Sequence, residues 1–220
     1  MGVALSEHSE GAVAVPGGSQ EKPRRRLLRR PERREQILVA ATRAFAESGF
    51  AATSLDDVAA EAAISRDMLY RHFESKADLY RAVLGRACDR LAAATGSPEF
   101  TDSSLDALLS AAAAEPAGFR LLFHHAAREP EFRKEIDELR ACMFDVAHGH
   151  LADVIPDPAW ARWASALVPT VAVEGVIAWL DAGQPDPPVA AQRIGLAIGG
   201  VVEAARSAAS EGAALPPERG

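Results

Sequence analysis

The sequence predicts an all-α protein. Hydrophobic residues make up 48% of its 220 positions, and alanine, the strongest helix former, is prominent among them. Few stretches alternate apolar and polar residues with the period of two that is typical of a half-buried strand. Apolar residues recur instead at helical spacing, between breaks that contain glycine or proline.

The first predicted helix runs from about residue 32 to about residue 48. Its apolar stripe consists of Ile37, Leu38, Ala41, Ala44 and Phe45. Gly49 follows as the residue that ends the helix, and Phe50 is then placed to fold back on Phe45.

Serine residues predict the starts of the next three helices. Ser54, with Asp57 three positions later, is typical of a helix N-cap with a near capping box. Ser65 predicts the cap of a third helix, and Ser75 with Asp78 predicts the cap of a fourth. The inner face of the second and third helices consists of Val58, Ala59, Ala62, Leu69 and Phe73, and Ile64 lies in the turn between them.

Proline and glycine separate the remaining predicted helices. We expect these helices at about 102–114, 116–127, 130–154, 158–182 and 187–210. The chain thus divides into an N-terminal arm (1–31), a three-helix domain (32–76) and a larger helical domain (77–215).

Charge is distributed unevenly along the chain, whose formal net charge is −7. Residues 22–76 contain twelve Lys and Arg against eight Asp and Glu, whereas residues 81–220 contain twelve against nineteen. A basic N-terminal part and an acidic remainder indicate one domain that faces a polyanion and one that faces solvent.

The N-terminal arm combines two kinds of sequence. Residues 1–21 are rich in Gly, Ser and Ala and are expected to be disordered. The basic run that follows includes Arg24, Arg25 and Arg26. We interpret it as an arm that contacts phosphates or an A·T-rich minor groove, with a solvated tail as the alternative.

Two short helices joined by a tight turn have the layout of a helix-turn-helix, which places its second helix in the DNA major groove. The outward face of that helix presents Arg66, Asp67, Tyr70 and Arg71. Arginine can hold guanine bidentately, and aspartate can accept from cytosine. The alternative is a solvated face of an ordinary helical bundle. The predicted DNA-contacting residues outside the arm are Thr53, Ser54, Arg66, Asp67, Met68, Tyr70, Arg71, His72 and Lys76.

Residues 33–84 resemble the N-terminal domain of the tetracycline-repressor (TetR) family of bacterial regulators. The matching stretches are ILVAATRAFAESGFAATSLDDVAAEAAIS and LYRHFESKADLYRAVL. The resemblance covers about a quarter of the chain. It implies a homodimer that places one recognition helix in each half of a palindromic operator, and a C-terminal domain for effector binding and dimerisation.

The resemblance also assigns roles to residues. It implies that Tyr70, His72 and Lys76 hold the DNA backbone while Arg66, Asp67 and Arg71 lie near bases. Two positions depart from the family pattern. Ala63 stands where the turn commonly has glycine, so its φ is less free. Asp67 and Met68 replace a common Gly-Thr pair, which removes a phosphate-contacting hydroxyl but leaves Met68 able to touch a thymine methyl.

The last two predicted helices are suited to burial. Mid-helix glycines at 195, 199 and 200 are costly unless another chain segment approaches closely. A four-helix dimer interface would explain them, and packing within one chain is the alternative. Pro169 should kink the first of these helices.

A ligand pocket is predicted in the C-terminal domain, lined by apolar residues of the helices around positions 119 and 143. Glu174 lies in an apolar run and needs a partner. It could anchor a ligand, although an arginine of a neighbouring subunit is the favoured partner. The candidate ligand-binding residues are Phe119, Phe123, Met143, Phe144, His150, Trp163, Val171 and Glu174.

The sequence does not indicate an enzyme, a cofactor or a metal site. His124, His125, His148 and His150 lack a clean i, i+4 pair with a third ligand. No nucleophile elbow, phosphate-binding loop or paired-carboxylate cleft is present. The two cysteines form no CxxC pair, which favours a reducing, cytoplasmic location.

We therefore expect a cytoplasmic TetR-like regulator. It should bind a palindromic operator as a homodimer, act as a repressor and be released by a small apolar effector, with no membrane contact. The alternative is a sequence-tolerant architectural protein whose DNA binding depends on the arginine-rich arm.

Overall fold

The computed structural model describes residues 29–95 and 102–211. In these ranges the chain is all-α, as predicted, and has no strand. The helices are α1 (Arg30–Ala52), α2 (Leu55–Glu61), α3 (Arg66–Tyr70), α4 (Lys76–Thr95), α5 (Asp102–Ala114), α6 (Pro116–Arg120), α7 (Arg133–Leu151), α8 (Pro158–Asp181) and α9 (Pro187–Glu211). Arg24, Arg25 and Arg26 lie outside the described residues.

The predicted caps of the N-terminal helices are confirmed. The Ser54 hydroxyl accepts from the Asp57 backbone N–H at 3.1 Å, and the Asp57 carboxylate accepts from the Ser54 N–H at 2.8 Å. The Ser65 hydroxyl accepts from the Met68 N–H at 3.3 Å, and that of Ser75 accepts from the N–H of Asp78 at 3.0 Å. These three helices therefore begin where side chains satisfy their free amides.

Two backbone positions have positive φ angles that shape the three-helix domain. Gly49 has φ +77° and interrupts α1, and the rings of Phe45 and Phe50 then lie 6.2 Å apart, as predicted. Ala63, in the turn between α2 and α3, has φ +51°. An L-residue is strained by about 1–2 kcal/mol in this region, so the replacement of glycine at Ala63 has a conformational cost.

One core joins the three-helix domain to α4 and to the segment before α7. Buried side chains of α1 to α3 pack with Leu79, Tyr80 and Val83 of α4, and with Leu121 and Phe132 from further along the chain. Since α4 belongs to this core, the three-helix domain and the larger domain share packed residues across the expected boundary at position 76.

The remaining described helices pack around α8. Helices α5, α6, α8 and α9 enclose a second core, and α8 also packs against α7. By length and composition α8 could span a membrane, with a mean hydropathy of 1.5 over 18 residues, half of them buried. A buried core helix of a protein that does not enter a membrane can have the same length and composition.

The stretch between α6 and α7 differs from the continuous helices predicted there. Helix α6 ends at Arg120 and continues as a π turn, Leu121–His125, followed by 3₁₀ turns at Ala126–Arg128 and Pro130–Phe132. The wider π turn changes the helical register before the Pro130 break, so that Leu121, Leu122, Ala126 and Phe132 all reach buried positions.

Candidate functional site

Helix α3 is anchored by its inner face, which leaves its outer face free. Leu69 is fully buried, and Phe73 just beyond the helix is 1% exposed. Arg66, Asp67 and Arg71 are exposed, and Tyr70 is 45% exposed although it is a large aromatic residue. The structure therefore places the predicted base-facing residues together on one accessible surface, which we call the α3 face (Arg66, Asp67, Tyr70 and Arg71).

Arg66 is held by contacts on two sides. Its Nη1 lies 2.9 Å from Oδ2 of Asp56 on α2, and its Nη2 lies 3.4 Å from the Tyr70 hydroxyl. Its guanidinium carbon also lies 5.6 Å from the centre of the Tyr70 ring. Asp56 was not among the predicted site residues, because its partner Arg66 lies ten positions further along the chain.

The start of α1 adds positive charge beside α3. The Arg34 guanidinium lies 4.6 Å from the centre of the Phe73 ring. His72 is partly buried, and burial, followed by the charges of nearby arginines of α1, lowers the pKa of its imidazole below the ordinary value. Gln36 fixes this arrangement, because its Nε2 donates to the Ala62 carbonyl in the α2–α3 turn at 2.8 Å. Sequence spacing gave no signal for these contacts between α1 and the turn.

Thr53 was predicted to contact DNA, but the structure buries it. Its side chain is 2% exposed, and its hydroxyl lies 2.7 Å from the Gly49 carbonyl and 3.2 Å from that of Ala44. Thr53 therefore stabilises the end of α1, and its hydroxyl is not available to a phosphate. Ser54 is exposed, although its hydroxyl already bonds to Asp57 within the cap.

Lys76 also differs from expectation. Its Nζ donates to three carbonyls at the end of α1: Phe50 at 2.8 Å, Thr53 at 3.1 Å and Ala51 at 3.3 Å. The ammonium lies 4.4 Å from the centre of the Phe50 ring. Because a lysine has three donors, all are engaged within the chain. Lys76 thus joins α4 to the end of α1, and a phosphate contact would require it to give up these bonds.

A cavity of 410 Å³ lies between the π turn, α7 and α8. Four predicted ligand-binding residues line it, namely Phe123, Met143, Phe144 and Glu174. Polar groups at its wall are Arg140, Ser165 and Thr170. We call this space the α7–α8 cavity.

A second cavity, of 380 Å³, lies between α4, α5 and α6 and is lined in part by Phe119. Its wall is rich in alanine and carries Arg90 and Glu115 as its charged groups. His150, Trp163 and Val171 line neither cavity.

Glu174 is not the buried carboxylate that its apolar neighbours suggested. Its side chain is 60% exposed, and its Oε2 lies 3.6 Å from Nε2 of His124. Trp163 is likewise 41% exposed and packs edge to face with Trp160, which is 39% exposed, at 5.6 Å between ring centres. Both tryptophans therefore lie on the surface of the single chain, and Trp163 is not part of the predicted ligand pocket.

Helix α9 has an open face that fits the predicted helix-pair interface. Leu196 is 71% exposed, and a Cβ built at Gly199 or Gly200 would meet no atom of the described residues within 4 Å. Packing within the described part of the chain thus does not explain why these two positions are glycine. At Gly195, in contrast, a Leu105 methyl lies 3.5 Å from a built Cβ. Among the described residues no group of three His, Cys, Asp or Glu side chains could hold a metal ion.

A helix-turn-helix with an exposed, arginine-bearing second helix defines a class of DNA-binding regulator. Known proteins agree with this class. The profile of the family "Bacterial regulatory proteins, tetR family" matches residues 37–83. The HTH-type transcriptional repressor SCO4008 of Streptomyces coelicolor is 30% identical over 149 residues, which are 59% of this chain and 76% of that protein. The chain belongs to the tetR family, and it is a transcriptional regulator with a DNA-binding helix-turn-helix.

Other relatives match over shorter stretches. The HTH-type transcriptional activator FasR of Mycolicibacterium smegmatis is 33% identical over 118 residues, 50% of this chain and 53% of that protein. The match therefore spans about half the length of FasR.

Solved structures share the fold at lower identity. A TetR-like transcriptional regulator from Rhodococcus sp. RHA1 aligns with a TM-score of 0.65 and 22% identity, over 76% of this chain and 94% of that one. The regulator FadR of Bacillus subtilis, solved in complex with stearoyl-CoA, aligns with a TM-score of 0.56 and 19% identity, over 79% and 97%.

Replacing Lys76 by Met should destabilise the protein by about 1–3 kcal/mol, because it removes a charged donor from three carbonyls while keeping the apolar stem. Urea unfolding measures the loss. The matched control is Lys134→Met, since the Lys134 side chain is 85% exposed and pairs with Glu138 one helical turn away. Equal unfolding midpoints for the two variants would contradict the role of Lys76.

Acidification should destabilise the protein in part through His72. The folded-state pKa of His72 lies below its ordinary value. The contribution of His72 to the free energy of unfolding is therefore complete when the pH is above that ordinary value, and it is lost as the pH falls through the folded-state pKa. Urea unfolding from about pH 7.5 to about pH 5.5 should therefore show a shallower loss of stability in His72→Gln than in the parent. An unchanged pH dependence would refute this.

His125→Gln should remove a separate part of the loss of stability at low pH, because burial lowers the pKa of His125 as well.

Proposed function

We propose that the protein is a repressor that binds a palindromic operator as a homodimer and is released by a small apolar effector. The observation that carries the proposal is the α3 face, which presents two arginines, an aspartate and a tyrosine on a helix anchored by Leu69. Side chains of these types read base edges and hold phosphates. Repression is the choice supported by SCO4008, which is named a repressor, although FasR is named an activator.

The homodimer is supported by the open face of α8 and α9. Trp163, Leu196 and Gly199 leave apolar and small surfaces exposed on neighbouring helices. A second copy packing there would form a four-helix interface and would hold two α3 helices at a fixed spacing. In this dimer we place Arg66, Asp67 and Arg71 near the bases. Tyr70, His72, Met68 and the N-terminus of α2 at Ser54 would lie nearer to the DNA backbone and the edge of the groove.

Arg66→Ala should relax sequence preference and cost about 1–3 kcal/mol on the protein's own site, with a smaller cost on random DNA. The site is obtained by selection from a randomised duplex library, and affinities are measured by fluorescence anisotropy. Arg43→Ala is the matched control, because it removes the same charge from the same domain at an exposed position of α1 that pairs with Glu61. Equal losses on the selected and random duplexes for Arg66→Ala would exclude a base-reading role.

The effector is proposed to bind in the α7–α8 cavity. The space of 410 Å³ is within the range of sites that take small ligands, and its wall combines apolar and aromatic side chains with a few polar groups. The stearoyl-CoA bound to FadR is consistent with an effector that has a large apolar part. Such an effector should weaken DNA binding by about five- to 150-fold, the usual size of coupling between two sites.

The neutral apolar dye Nile red should bind saturably to the protein and lose this binding in Ala141→Phe, which fills the α7–α8 cavity. Dye fluorescence during titration measures the binding. The same substitution at Ala93, in the wall of the second cavity, serves as the control and should leave binding intact. The reverse pattern would move the effector site to the cavity between α4, α5 and α6.

A further inference from the structure

The two acidic residues in the first turn of α2 have different partners. Asp57 is engaged locally, since its carboxylate accepts from the backbone and the hydroxyl of Ser54 at 2.8 and 2.7 Å. Asp56, one position earlier, takes no part in this cap. Its Oδ2 contacts Arg66 Nη1 at 2.9 Å, across the turn that separates α2 from α3. Neighbouring residues of the same charge thus serve different helices.

The Asp56–Arg66 pair is exposed, so its effect on stability is small. The two side chains are 62% and 56% exposed, and ion pairs of this kind contribute about 0–1 kcal/mol. The pair has a larger effect on the orientation of the Arg66 side chain. A free arginine side chain samples many rotamers, whereas Arg66 is fixed at one terminal nitrogen by Asp56 and at the other by the Tyr70 hydroxyl.

Arg66 keeps donors available while it is held. A guanidinium has five N–H groups, and the contacts to Asp56 and Tyr70 use two of them. Three therefore remain, which is enough for a bidentate contact to a guanine edge. Asp56 need not release Arg66 for the arginine to reach a base.

We propose that Asp56 is a positioning residue that orients Arg66 for base recognition and thereby sets the sequence specificity of the protein. This inference rests on the proposed reading role of Arg66. Asp56 itself touches no base. Orienting the guanidinium before DNA arrives removes an ordering cost from the correct complex, and random DNA gains nothing from it. The negative charge of Asp56 also disfavours binding in which Arg66 turns away and the carboxylate faces a phosphate.

The decisive comparison is between Asp56→Asn and Asp57→Asn. Both variants remove one negative charge from the same helix end, so any general gain in affinity for polyanions is shared. In Asp57→Asn the amide oxygen can still accept from the Ser54 N–H, and the Asp56 pair is exposed, so both variants should fold. Circular dichroism and urea unfolding verify this before DNA is added. Only Asp56→Asn weakens the hold on Arg66.

The experiment selects duplexes from one randomised library with the parent protein, Asp56→Asn, Asp57→Asn and Arg66→Ala. We expect the parent to enrich a motif, and Arg66→Ala to lose preference at particular base pairs. Asp56→Asn should lose preference at the same base pairs by about fivefold, the lower end of the cost of a lost bidentate arginine contact. Asp57→Asn should keep the parent motif. Adding Asp56→Asn to Arg66→Ala should change the motif no further.

The other outcomes would overturn either the positioning role of Asp56 or the base-reading role of Arg66. If Asp56→Asn and Asp57→Asn enrich the same motif as the parent, Asp56 acts through its charge alone and the proposal is overturned. A sharper preference in Asp56→Asn would also overturn it, since Asp56 would then compete with DNA for Arg66. If the parent enriches no motif, or Arg66→Ala leaves the motif unchanged, the base-reading function of Arg66 fails and the role of Asp56 falls with it.

Discussion

An aromatic cluster at the end of α1 is the constraint on which the rest of the structure depends. Tyr80 of α4 lies 4.9 Å from Phe45, 5.0 Å from Phe50 and 4.4 Å from Phe132 between ring centres. Lys76 covers Phe50 and binds the carbonyls around it. The Tyr80 hydroxyl is buried and has no hydrogen-bond partner among the described residues, a cost of about 1–3 kcal/mol that the aromatic packing must offset. The cluster thus joins the helices that carry the α3 face to the segment that enters α7.

A second connection runs along the other side of α4. The Arg86 side chain is 9% exposed and lies between Glu35 of α1, at 2.8 Å, and Glu115 at the start of α6, at 2.5 Å. Its hydrogen bond, followed by its charge and that of Arg90, lowers the pKa of the Glu35 carboxyl against the opposing effect of burial. A nearly buried arginine with two carboxylate partners tolerates little displacement, because separating either pair leaves a charge poorly solvated. Packed contacts therefore connect the surroundings of the α7–α8 cavity to α1 in two places, through Phe132 and through α6.

Local rules predicted much of this fold, and non-local contacts account for what they missed. The serines at 54, 65 and 75 identified three helix starts because a cap depends on residues three positions apart. Lys76 could not be placed, since its partners lie 23 to 26 residues away. The contact of Asp56 with Arg66 depends on the turn at Ala63. Trp163 was wrongly placed in the ligand pocket, because an apolar helix face looks the same in sequence whether it meets its own core or another chain.

We propose that the α3 face reads sequence in a two-fold symmetric complex. The most direct test is to incubate the protein with sheared DNA of its host genome, add an excess of random duplex, and sequence the segments protected from nuclease. We expect a few discrete segments, each with an inverted repeat whose half-sites are separated by about one helical turn or a multiple of it. Protection spread evenly over the genome and lost uniformly with added salt would contradict the account, because it would mean binding through phosphates alone.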